Sequence, residues 1–149
     1  MKRTVFLVAL LVCAALVFAC KSQPKSIAAQ TPEEQALKDV YDQYRSGLIL
    51  DGAAKHTVIK DETLSQISRT KYKNGLYFPI IMLASSNVVL DPDKIEPGMV
   101  LTLPDIQKNL DNARAKANMK EFFLEIAKTY DDRNRHEDAE ALRELANSW

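Results

Sequence analysis

The chain has two cysteines in 149 residues, Cys13 and Cys20, and both fall within the first twenty positions. No disulfide framework and no cysteine-based metal site can be built from them across the rest of the chain, so folding must rest on ordinary apolar burial. Histidine is as scarce: His56 and His136 stand eighty residues apart and, without cysteine, make no zinc-ligand spacing. An excess of positive charge is missing too, because 20 Lys+Arg are balanced by 20 Asp+Glu. Nucleic-acid binders carry a basic face or stripe, so nucleic acid is not an expected partner. Near the N-terminus, Val5 to Cys20 runs sixteen residues without a charge, short of the roughly twenty that a membrane-spanning helix needs. The length holds one small domain with accessories, not a large catalytic fold beside a separate binding module.

What is present at the N-terminus is a basic start, Lys2 and Arg3, followed by that short apolar run. This is the pattern of a cleaved signal segment. Its end, Val17-Phe18-Ala19-Cys20, resembles the lipobox of bacterial lipoproteins: an aliphatic residue, a small residue before the cut, then the cysteine that is lipidated. The resemblance implies removal of residues 1–19 and acyl chains on Cys20, which would hold the protein on a membrane of the cell envelope, facing the periplasm. Without Lys2 and Arg3 the remaining 130 residues carry 18 Lys+Arg against 20 Asp+Glu, a net charge of −2. Residues 20–32 are small, polar and proline-bearing, as suits a flexible linker.

Beyond the linker three segments differ in pattern. Over residues 33–50, Leu37, Val40, Tyr41, Tyr44 and Leu48 recur at helical spacing, predicting one amphipathic helix that ends at Asp51-Gly52. Residues 55–104 read as strand, helix, helix, strand. "HTVIK" is a short strand with Val58 inward, and Thr63-x-x-Gln66 is a capping box that opens the first helix. "KNG" breaks that helix, Pro79 sits in the first turn of the second, and Met99 to Leu103 alternates as the second strand. The two strands have to pair with each other, since neither is stable alone. Residues 105–149 contain neither glycine nor proline, and 18 of the 45 are charged. Ile106, Leu110 and Ala113 mark one helix, Phe122, Phe123, Ile126 and Tyr130 a second, and Ala139, Leu142, Leu145, Ala146 and Trp149 a third. The last two faintly resemble a tetratricopeptide helix pair, a single unit that reads as a helical hairpin and a surface for a protein partner.

The stretch with the most chemistry is "DPDKIEPGMVLTLP", residues 91–104, which holds three of the six prolines and the carboxylates of Asp91, Asp93 and Glu96. A calcium loop needs oxygen ligands at alternate positions, and Pro92, Lys94 and Ile95 interrupt them. No metal and no cofactor is expected. A glycosidase pair needs carboxylates facing across a closed cleft, and fifty residues offer little to exclude water, so no catalytic residue is assigned.

Both ends of the 55–104 block resemble the lysin motif (LysM) family. His56-Thr57-Val58-Ile59-Lys60-Asp61-Glu62-Thr63-Leu64-Ser65-Gln66-Ile67-Ser68 stands where the family has Tyr-x-Val-x-x-Gly-Asp-Thr-Leu-x-x-Ile-Ala. Asp91 to Pro104 follows the closing pattern Asp-Pro-Asp-x-Ile-x-Pro-Gly-Gln-x-Leu-x-Ile-Pro, with Met99 in place of Gln. The resemblance implies an α+β fold of βααβ order, with a two-stranded antiparallel sheet and two helices, flanked here by an N-terminal helix and a C-terminal helical segment. It implies non-catalytic binding of peptidoglycan or a related N-acetylglucosamine glycan, in a groove between two loops. The carried-over positions are Asp61, Glu62, Thr63 and Leu64 on one side and Asp91, Pro92, Asp93, Lys94 and Ile95 on the other. Loop N–H and C=O groups would meet the acetamido group, and Leu64 and Ile95 its methyl. The departures at Asp61, Glu62 and Met99 motivate an alternative, an assembly protein whose block has lost sugar binding and whose helices recruit a partner.

Overall fold

The computed structural model describes residues 32–149. In order, these form α1 (Pro32–Tyr44), a 3₁₀ turn (Arg45–Gly47), β1 (Ala54–Thr57), α2 (Leu64–Tyr72), a second 3₁₀ turn (Gly75–Tyr77), α3 (Phe78–Ala84), β2 (Val100–Leu103), α4 (Ile106–Asp111), α5 (Ala113–Asp132) and α6 (His136–Asn147). The fold is α+β. β1 and β2 pair antiparallel with Ala54 opposite Leu103 and Thr57 opposite Val100.

Local chemistry accounts for the boundaries. Thr63 Oγ1 accepts from the Gln66 N–H while the Gln66 side chain accepts from the Thr63 N–H, the reciprocal box that starts α2. Lys73 ends α2 in the left-handed region at φ 63°. Asn112 caps α5, and Asn134, at φ 58°, turns the chain between α5 and α6.

Helix α1 stops at Tyr44, short of the expected 50, and tightens into the 3₁₀ turn Arg45–Gly47, where the chain passes close to Asn118 of α5. A Cβ at Gly47 would lie 2.3 Å from Asn118 Cγ, whose amide donates to the Tyr44 carbonyl at 2.7 Å. The first strand is displaced toward Ala54, but Val58 keeps its pairing, donating to the Met99 carbonyl at 2.9 Å and accepting from the Gly98 N–H at 2.8 Å. Ala113 opens α5 rather than closing α4, because Asn112 breaks the helix between them.

Every residue of α3, Phe78 to Ala84, is buried. A helix that is apolar all round needs cover on all sides, and α3 receives it from α2 and β2 within the block and from α5 beyond it. One core therefore runs through the described chain: Leu37 and Tyr41 of α1, Ile80 to Leu83 of α3, Leu101 of β2, Phe122, Phe123 and Ile126 of α5, and Leu142 of α6. Buried Asn109 staples the α1–β1 connection, accepting from the Ile49 N–H at 2.9 Å and donating to the Ile49 and Asp105 carbonyls. Ser85 ties the end of α3 to β2 by accepting from the Thr102 N–H at 2.8 Å. Among the described residues, no helix is long and apolar enough to cross a membrane.

Candidate functional site

Two loops flank the open end of the sheet. The first joins β1 to α2 and contains Lys60 to Thr63; the second joins α3 to β2 and contains Leu90 to Met99. They meet at their bases through the Val58 pairing with Gly98 and Met99. Gly98 holds φ 91°, a conformation that L side chains rarely adopt.

In the first loop Asp61 is exposed and left-handed at φ 66°. The turn is thus made by aspartate, one of the few side chains that tolerate this region. Glu62 points back toward β1. Its carboxylate accepts from the Ile59 N–H at 2.9 Å and lies 2.9 Å from His56 Nε2. The Ile59 hydrogen bond first, and the His56 contact second, hold the Glu62 carboxyl below its ordinary pKa. Two residues that depart from the family pattern, His56 and Glu62, are therefore partners of each other. Thr63 is occupied as the cap of α2, and Leu64, 3% exposed, faces the core.

The second loop is held from outside the block. Asp91 is 8% exposed, and its two oxygens accept from Arg133 Nη1 and Nη2 at 3.2 and 3.3 Å. Its Oδ1 also accepts from the Asp93 N–H at 3.0 Å. Burial pushes the Asp91 carboxyl up, but the Asp93 N–H, Arg133 and Lys94 together outweigh it and leave the group below the usual range. Asp93 is exposed and accepts from Arg135 Nη1 at 3.2 Å. The Arg135 guanidinium lies 4.3 Å above the Tyr130 ring, and its Nε donates to Asp138. Lys94 donates to Glu34 of α1 at 3.1 Å, and the Tyr41 hydroxyl donates to the Leu90 carbonyl at 3.2 Å. Pro92 is buried, Ile95 is half-buried against the core, and Met99 Sδ lies 3.4 Å from the Glu96 N–H.

The nine groove positions do gather on two adjacent loops, but their side chains have different duties. Asp91 and Glu62 have their carboxylates engaged within the protein, and Thr63 and Leu64 serve α2. Exposed on the two loops are Ile59, at 63%, Lys60, Asp61 and Thr63 on the first and Asp93, Lys94, Glu96 and Pro97 on the second. Ile59 was legible only as the residue after inward-facing Val58, since the alternation then turns it outward. Arg133 and Arg135 had no signal, because they lie about forty residues away in a polar helix connection. A groove of about 400 Å³ between α1 and α5, lined by Leu37, Val40, Lys128 and Arg133 among others, contains none of the loop residues.

The family model for the LysM domain matches residues 56–104. This block is a LysM domain. Such domains bind peptidoglycan and related N-acetylglucosamine glycans, and no catalytic step is part of that activity. Potassium binding protein Kbp of Escherichia coli O6:H1 is 33% identical over 69 residues, a stretch that is 46% of this chain and 46% of that protein. The match thus spans about half the length of this curated relative. No solved structure matches the chain.

Proposed function

We propose that this protein is a lipid-anchored envelope lipoprotein that binds peptidoglycan through its single LysM domain and so tethers the membrane to the cell wall. The observation that carries the reading is the LysM match over 56–104 together with the retained left-handed turn at Asp61. A loop that keeps its backbone path keeps the N–H and C=O groups that an acetamido sugar needs, whichever side chain makes the turn. The anchor rests on Val17-Phe18-Ala19-Cys20, which lies outside the described residues. A single LysM domain on a membrane gains from effective concentration, so individually weak contacts suffice for tethering.

The relative's name assigns potassium binding to that protein. In this chain Asp91 and Asp93 of the second loop are engaged by Arg133 and Arg135. No group of three or more His, Cys, Asp or Glu among the described residues is placed to hold a metal ion. A second reading, an assembly protein that has lost sugar binding, draws on Met99 and on the engagement of the Asp91 carboxylate.

The test is co-sedimentation of the full chain with purified sacculi, competed by N-acetylglucosamine oligomers. Binding that the oligomers abolish is the expected result; a folded protein left in the supernatant favours the assembly reading. In cells, Cys20→Ala should abolish lipid labelling and release the protein from the membrane, and retention of that variant sinks the anchor.

A further inference from the structure

We propose that Arg133 and Arg135, at the α5–α6 turn, are positioning residues for the glycan-binding loop of the LysM domain. This rests on the glycan reading above. Between Ala84 and Val100 the chain has no helix or strand. Its internal backbone bonds are local: Val88 and Val89 to Ser85, Lys94 to Asp91, and Met99 to Glu96. A connection of this kind keeps one shape only where it is tethered. Its base is tied to Val58, just after β1, through Gly98 and Met99, and Val89 is fully buried. The tip, Leu90 to Lys94, is tied elsewhere: Leu90 to Tyr41, Asp91 to Arg133, Asp93 to Arg135, and Lys94 to Glu34.

Of these ties the arginines matter most. Arg133 engages both oxygens of Asp91, a planar two-point contact that fixes direction as well as distance, whereas lysine offers a point charge. Asp91 is nearly buried and in turn holds the Asp93 N–H, so the orientation of its carboxylate sets the backbone of the loop tip. Arg135 is itself fixed, by the Tyr130 ring and by Asp138, before it reaches Asp93. The glycan meets the loop's backbone groups, and the arginines determine where those groups stand. The C-terminal helices therefore belong to the binding site without touching the sugar.

The experiment compares the full chain with R133A, R133K, R135A and the double variant D91N/R133Q. Binding is titrated with N-acetylglucosamine oligomers and with sacculi, and hydrogen exchange is followed at the amides of residues 90–94. R133A and R135A should each weaken binding by roughly tenfold, the scale expected when an ordered loop must be re-ordered on binding. Exchange should speed up at 90–94 and not in β1 or α2. R133K should lose most of what R133A loses. D91N/R133Q, which removes both charges of the part-buried pair but whose shorter amide cannot span it, should bind about as weakly as R133A; recovery of wild-type binding would show that charge pairing and not positioning is at work. If wild type binds and folded R133A and R135A bind equally well, the arginines do not position the loop. If R133A fails to fold, R135A, whose partner Asp93 is exposed, decides alone. No binding by wild type overturns the glycan reading and this inference with it, whereas wild-type binding with indifferent variants overturns only the inference.

Discussion

At the scale of single residues, the departures from the LysM pattern are absorbed locally. Asp61 replaces a glycine yet takes the glycine's left-handed backbone, at φ 66°. A β-branched residue has no such tolerance and should lose roughly 1–2 kcal/mol there. Asp61→Val is therefore expected to lower the urea midpoint, while Asp61→Gly stays within about 1 kcal/mol of the parent. Equal midpoints for valine and aspartate would show that the turn is not left-handed in solution. His56 and Glu62 depart from the pattern together and lie 2.9 Å apart. The tolerance of Asp61 follows from its chemistry and was readable in the sequence. The pairing of His56 with Glu62 was not, because it needs the strand and the loop folded against each other.

At the scale of elements, the second loop is governed by charge. The Asp91 carboxyl sits below its ordinary pKa in the folded chain: burial raises it, and the Asp93 N–H, Arg133 and Lys94 more than reverse that. Other charges around it are Asp93 on the same loop and Glu34 on α1, which faces Lys94. The Tyr41 hydroxyl of α1 sits beside it, pushed well above its usual range by burial, and stays neutral through the acid range. An aspartate whose folded pKa is lowered contributes stability in full above the unfolded value, about 3.9, and loses it as the pH falls through the folded value. Denaturant midpoints should accordingly hold between about pH 7 and pH 5 as far as Asp91 is concerned, and fall below about pH 4. Asp91→Asn should flatten that acid limb. An acid limb identical in the variant would mean that the Asp91–Arg133 pair adds nothing to folding. Glu62, lowered by the Ile59 N–H and then by His56, works in the same direction on the first loop.

At the scale of the whole molecule, the LysM domain is not a separable bead on a chain. Helix α3 is buried on all its faces, and α5 supplies part of that cover. Phe123 is fully buried and packs edge-on against Trp149, with ring centroids 4.9 Å apart. Trp149 also stacks on Tyr77 just before α3, so the last residue of the chain covers the approach to the LysM helices. Phe123→Ala should lower stability by about 3–5 kcal/mol, the range for removing a large aromatic side chain from a packed core. The loss should appear as one cooperative transition involving the LysM strands as well. A two-step melt, with the strands surviving the first step, would show that domain and tail fold independently.

The sequence by itself determined the element types and the nature of the domain. Periodicity, the Thr63–Gln66 capping box, Pro79 in the first turn of α3, and the alternation ending at Leu103 are local rules, each satisfied within a few residues. The two loops with a LysM pattern were legible for the same reason, since turns are written by their own residues. Only the tertiary structure decided what those loop side chains do. Asp91 reads as a free carboxylate until Arg133, 42 residues on, is folded against it. Whether a polar group faces a ligand or another part of its own protein depends on which distant elements pack together. That is settled by the shared core of α1, α3, α5 and α6.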